Sequence, residues 1–347
     1  MGKSEVREAR NVKHAINCYS AASGQLVNWS KSAVFFLNTP LPRQLKIAKI
    51  LGCSIGALPS SYLGLPLGLK APDSFWEVLI NKFSKKLAGW KGNFLSQAGK
   101  LTLLKASLQS IPIYALSLFK IPSKFADSID KVLRNFLWTG TEDKKRLPLI
   151  AWDMVCKSVK EGGLGIRKIR SLNKALLAKQ GWRVFHENKE WSIIWKHKYL
   201  LNSASLPDLI STPDISHPSA IWGAVQETKK ILGEGCTWKI GNGLKVRFWE
   251  DSWLKDLPLI EEFQDLSHID LCKQRFGSRV CDYWQNNSWV NLKDISQSFN
   301  HIQLSLNAVS LYPTLEDEII WHAEPSGQYK VSSFFAAKEK VNIPFWA

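Results

Sequence analysis

The stretch SFWEVLINKFSKKLAGW, residues 74–90, decides the fold class. Trp76, Ile80, Phe83, Leu87 and Trp90 recur at steps of four and three, the spacing that lines apolar side chains along one face of an α-helix. Ser74 and Glu77 stand in capping-box spacing after Pro72, so the stretch carries its own helix start. Lys82, Lys85 and Lys86 fall on the outer face. Further on, Leu101, Leu104, Leu108, Ile111, Ala115 and Leu118 form one apolar stripe, within which Pro112 should kink or break the helix. A third helix begins near Ser123, turns Phe125, Ile129, Val132 and Phe136 inward, and ends at the Thr139-Gly140 turn. Past a basic loop at 143–149 and the glycine turn Gly162-Gly163-Leu164-Gly165, another helix runs from about Ser171 to Phe185. A last helical piece carries Trp191, Ile194, Trp195 and Tyr199.

Strand signals are weaker and shorter. Ala21, Ala22, Ser23 and Gly24 stop a helix, and a short strand is expected at Leu26–Trp29. Between Lys46 and Leu69, Gly and Pro punctuate short apolar runs, which suits small strands or a hairpin. The stretch 206–219 is rich in Pro and Ser and reads as a domain boundary. After it, the alternation from Cys236 to Glu250 is typical of a hairpin around a Gly241-Asn242-Gly243 turn. The expected fold class is mainly α with small β elements (α+β), divided into 1–70, 71–205 and 206–347.

The chain has 347 residues, 45% of them hydrophobic, enough for real cores. It holds no run of eighteen apolar residues, and its first ten residues are charged where a signal peptide would be apolar. The expectation is a nuclear or cytoplasmic protein, not secreted and without a transmembrane segment. Six cysteines lie scattered without CxxC pairs, which signals neither a disulfide framework nor a zinc ribbon. The net charge of +16 is uneven: residues 1–200 hold 33 Lys/Arg against 12 Asp/Glu, net +21, and residues 201–347 hold 13 against 18, net −5. A basic half of this kind either faces a polyanion or is a solvated surface.

Carboxylates that could hold catalytic metal ions must converge. Glu142-Asp143, Glu250-Asp251, Glu261-Glu262 and Glu316-Asp317-Glu318 are adjacent in sequence and read better as surface charge. His268, Cys272 and Cys281 hint at zinc without a fourth ligand at a usual spacing. Neither a serine nucleophile elbow nor a phosphate loop nor HExxH is present, and the 162–165 glycines read as backbone geometry.

The landmarks, taken in order, resemble a plant LINE-type (non-LTR retrotransposon) reverse transcriptase just downstream of its catalytic aspartates. GQLVNWSKS (residues 24–32) resembles the palm motif, and YLGLPLG (62–68) looks like the primer-grip hairpin. The stretch 87–122, then NFLWTG (135–140) and the stretch 161–183, resemble the thumb and its extension. IGNGLKVRFWEDSWL (240–254) and SGQYKVSSFF (326–335) are similar to the linker towards the family's zinc-binding region.

The resemblance implies a palm remnant at 1–70, a helical thumb and extension at 71–205, and a linker with the start of the zinc-binding region at 206–347. The palm aspartates would lie upstream of Asn11 and the Cys/His cluster beyond Phe345, so the expected reading is a middle piece, inactive by itself. Mg²⁺ serves the intact family enzyme; no cofactor is expected in this chain. The expected partner is an RNA or DNA duplex bound without sequence preference, with no membrane and no small-molecule substrate. By resemblance Tyr62, Leu63 and Gly64 form the primer grip, and Asn28 and Lys31 belong to the palm motif, with Lys31 near the departing pyrophosphate. Lys82, Lys85, Lys86, Lys100, Lys105, Arg167, Arg170 and Lys174 are the candidate phosphate contacts. Lys131 and Arg134 are weaker, because Asp127 and Asp130 precede them by four residues and can pair locally. About six neutralised phosphates would give a salt slope of roughly −5 on B-form DNA. The alternative is an inert remnant of a decayed retroelement whose basic face binds nothing specific.

Overall fold

The computed structural model describes residues 4–58, 60–67, 71–90, 94–140, 150–199, 214, 219–254, 258–262, 277–289 and 305–340. The chain forms two compact units, Met1–Val78 and Leu79–Ala347. Its architecture is mainly helical with small two-stranded sheets.

In the first unit, helix α1 (Val6–Ser23) packs on α2 (Leu41–Leu51). Helix α1 stops where the Ala-Ala-Ser-Gly run placed its end: Gly24 turns left-handed at φ 71° and donates its N–H to Ser20. The strand expected at Leu26–Trp29 is absent. The Asn28 carboxamide oxygen accepts from the Lys31 N–H at 3.1 Å and from Ser30 Oγ at 2.6 Å. That local bonding curls Trp29–Lys31 into a 3₁₀ turn, and strand β1 (Ala33–Phe35) starts only afterwards. It pairs in parallel with β2 (Ser54–Gly56). The expected hairpin is present as β3 (Ser60–Tyr62) and β4 (Leu65–Leu67), joined by Leu63-Gly64.

Helix α3 (Asp73–Ala88) begins in the first unit and runs into the second. It buries Trp76, Leu79, Phe83 and Leu87, which are neighbours at steps of three and four. The long apolar stripe that follows does not wait for Pro112 to break. Helix α4 (Gln97–Ala106) ends at Ser107, Leu108–Ser110 tightens to a 3₁₀ turn, and Pro112 caps the short α5 (Ile113–Leu116). Helix α6 (Ser123–Thr139) runs between its expected ends, closed by Gly140 at φ 76°. A single turn, α7 (Trp152–Val155), precedes the glycine turn. There Gly163 is needed for room, since a Cβ would stand 2.3 Å from the Lys157 carbonyl oxygen. This supports the backbone reading of the glycines.

Helix α8 (Ile169–His186) is the axis of the second unit, with buried residues on all sides, and it packs against α5, α6 and later helices. Its buried Asn173 spends its side chain on the chain that crosses it. The oxygen accepts from the Ile121 N–H, and the amide donates to the Leu116 and Phe119 carbonyls at 2.7 and 2.9 Å. After α9 (Glu190–Tyr199), helices α10 (Ala220–Gln226) and α11 (Lys229–Gly235) return to α8. Trp182, Tyr199, Trp222, Leu232, Trp321 and Phe334 belong to one core. Helix α8, before the stretch 206–219, thus shares its core with residues that follow that stretch.

Strand β5 (Cys236–Lys239) does not form a hairpin with the residues after Gly241-Asn242-Gly243. Beyond the short pair β6 (Trp284–Gln285) and β7 (Ser288–Trp289), its antiparallel partner is β8 (Glu318–Trp321), ahead of α12 (Val331–Lys340). Asp317 is the cause. Its carboxylate, 5% exposed, accepts the N–H groups of Gly241 and Gly243 at 2.8 Å and of Lys245 at 2.9 Å. The loop thus wraps an anion instead of closing a hairpin turn, and Phe248, Trp249 and Trp253 go into a second, Trp-rich core. Asp251 is buried likewise and accepts the Arg247 N–H at 2.7 Å. Neither Asp317 nor Asp251 is the surface charge that its acidic neighbours suggested.

Candidate nucleic-acid interface

The second unit carries the whole set of candidate phosphate contacts, and the structure divides it. Lys82, Lys85 and Lys86 stand exposed on α3, opposite its buried face, and Lys105 is exposed on α4. None of the four has a carboxylate partner among the described residues. The Lys105 ammonium stands 3.5 Å from where a Cβ of Gly165 would be, next to the glycine turn.

The other four are each buried or engaged in a contact. Lys100 is only 7% exposed, because it lies one turn before the buried Leu104 on the same face of α4. Arg170 pairs with Asp127 at 2.7 Å. Arg167 precedes α8 and lies over the Phe335 ring, 5.1 Å from its centroid. Lys174 is exposed but is not without a partner.

The expected pairing of Asp127 and Asp130 with Lys131 and Arg134 gives way to contacts across helices. Asp127 reaches Arg170, and Asp130 accepts the Ile169 N–H at 3.3 Å, capping α8 from outside. Spatial neighbours win because α6 packs on α8. Burial pushes the Asp130 carboxyl up to about 6, against the opposing pull of the Ile169 hydrogen bond and the Lys168 charge. A carboxyl raised in the fold above its unfolded value adds stability below the unfolded pKa and loses it as pH rises through about 6. Asp130→Asn should therefore gain about 1–3 kcal/mol over the parent at pH 8 and almost nothing at pH 4, read by denaturant unfolding at both values.

In the first unit, the resemblance-derived primer grip is a hairpin tip. Tyr62 and Leu63 are 66% and 73% exposed, and Leu63 and Gly64 take φ of 52° and 78°. Two positive φ values suit the two-residue turn of a tight hairpin. For leucine that conformation costs about 1 kcal/mol or more. Leu63→Gly should stabilise the hairpin by about 1 kcal/mol, measured by hydrogen exchange of the 60–67 amides. Asn28 is occupied with capping the Trp29–Lys31 turn, and Lys31 is exposed.

Among the described residues, no three His, Cys, Asp or Glu side chains gather as a metal site. His268 and Cys272 lie outside the described residues, as do Glu142-Asp143 and the 143–149 loop. No helix among the described residues is long and apolar enough to cross a membrane.

No family model matches the chain. It is 32% identical to the Arabidopsis thaliana protein named "Putative ribonuclease H protein At1g65750" over 281 residues, 78% of this chain and 44% of that protein. It is 30% identical to the "Uncharacterized mitochondrial protein AtMg00310" of the same plant over 149 residues, 42% of this chain and 94% of that protein. The chain thus spans less than half the length of the first of these relatives.

Proposed function

This chain belongs to the same protein family as the Arabidopsis protein AtMg00310, and from that premise we propose that its second unit grips a nucleic-acid duplex as part of a retroelement reverse transcriptase. Its role is to hold the duplex, with phosphoryl transfer left to carboxylates elsewhere in such an enzyme. The observation that carries this reading is the row of exposed lysines at 82, 85 and 86 on one helix, joined by Lys105 on the next, with no carboxylate partner among the described residues. Such a row meets phosphates, which position a duplex without reading its sequence. Two further facts support it. The stretches that resemble palm, grip and thumb motifs stand in family order, and a similar plant protein bears ribonuclease H in its name.

The strained, exposed Leu63 fits a hairpin tip kept for contact with a primer strand. Backbone strain retained at an exposed position is more readily explained by what the side chain touches than by stability.

Four exposed lysines without a carboxylate partner among the described residues revise the expected salt dependence. At about 0.9 per neutralised phosphate, log affinity for B-form DNA should fall against log salt with a slope of roughly −3.5, with little dependence on sequence. The measurement is duplex affinity of the full chain between about 50 and 200 mM salt. A slope near zero, or no binding at low salt, would leave the inert-remnant reading in its place.

A further inference from the structure

Away from α3, an open cleft of about 560 Å³ follows the C-terminal half of α8, on a floor of Leu176 and Trp182. The hydrogen-bonding groups around it that are still unspent decide what it can take. Lys179 is exposed, with no hydrogen bond or ion pair among the described residues. Arg183 gives Nε and one Nη2 proton to Glu187, at 2.6 and 3.2 Å, and one Nη1 proton to Gln180 Oε1 at 3.1 Å. Of the five guanidinium protons, two remain. The Gln180 oxygen being taken, its NH₂ is left, and Gln328 adds a second amide from across the cleft.

The charged acceptor and the imidazole, by contrast, are used. Glu187, the one carboxylate in the lining, has both oxygens on Arg183 and lies 3.5 Å from Lys189; the Arg183 bonds hold its carboxyl below the usual range. His186 sets Nδ1 and Nε2 each 3.0 Å from a carbonyl oxygen, of Trp182 and Ile319, and stacks on the Trp182 ring. Neither ring nitrogen is left for a ligand. What faces the cleft is these donors, the neutral oxygens of Ser117 and Gln328, and, among the described residues, one uncompensated positive charge. Lys179 and Arg183 are one helical turn apart, about 6 Å along the axis, close enough to share one phosphate group.

We infer that this cleft binds phosphate oxygens, either a phosphodiester of a single nucleic-acid strand or a free phosphate. It lies on a different face of α8 from Arg170 and Lys174 and does not depend on the duplex-gripping role of α3.

The test uses the full chain with two probes, inorganic phosphate and a single-stranded oligonucleotide. Lys179 acetylation, read by peptide mass spectrometry, should slow about fivefold with the oligonucleotide bound. Slowing by millimolar inorganic phosphate as well identifies a free-phosphate site, and slowing by the oligonucleotide alone identifies a strand site. Lys179→Ala should weaken the protective probe about fivefold and, for the oligonucleotide, flatten the salt slope by about 0.7. Glu187→Gln removes the carboxylate but no donor and should tighten binding about twofold. The inference is overturned if neither probe protects Lys179, or if Lys179→Ala leaves affinity and slope unchanged. Alanine at 82, 85 and 86 should weaken duplex binding strongly yet leave Lys179 protection intact, so the two sites fail separately.

Discussion

Asp317→Ala should cost about 3–5 kcal/mol, the largest stability loss expected from one side chain here. Three backbone N–H groups would lose a buried anionic acceptor at once, and each orphaned buried donor costs about 1–3 kcal/mol unless water enters. The loss should concentrate in the Trp-rich core, because the 241–245 loop sets the path of Val246–Trp249. Tryptophan fluorescence during urea unfolding would show it as an early red shift. Asp317→Asn should recover only part, since an amide presents one acceptor oxygen where the carboxylate presents two. An alanine variant as stable as the parent would mean that the loop holds its shape without the anion.

The second large effect is on binding. Replacing Lys82, Lys85 and Lys86 together by alanine should lower duplex affinity by roughly two to three orders of magnitude near 0.1 M salt, and flatten the salt slope by about 2.7. Stability should hardly move, because all three are exposed and without carboxylate partners among the described residues. Replacing Arg170 should instead change affinity little, since its charge is already met by Asp127.

Helix bounds were the most legible part of the sequence, because periodicity and end signals are local. Ser123 and Gly140 enclose α6, Gly24 ends α1, and the 60–67 hairpin follows from glycine and proline placement. What escaped was set by partners far along the chain. Asp317 lies more than seventy residues from the amides it accepts, and no local pattern marks it out from Glu316 or Glu318. The 206–219 stretch reads as a boundary because it is rich in Pro and Ser. Whether α8 stands alone depends instead on Trp222, Leu232 and Trp321, which share a core with Trp182. A piece cut at residue 200 would bare that core, so binding tests belong on the full chain.

The basic track was half legible for the same reason. Charge and helical phase put Lys82, Lys85 and Lys86 outside, and they are outside. They could not show that Lys100 is buried or that Asp127 reaches across to Arg170. Tertiary neighbours thus reduce eight candidates to four lysines.

The most direct test of the duplex-gripping account is to crosslink the full chain to a duplex at low salt and identify the attached peptides. The account predicts attachment at peptides carrying Lys82, Lys85, Lys86 and Lys105. Attachment confined to peptides from residues 220–340 would contradict it.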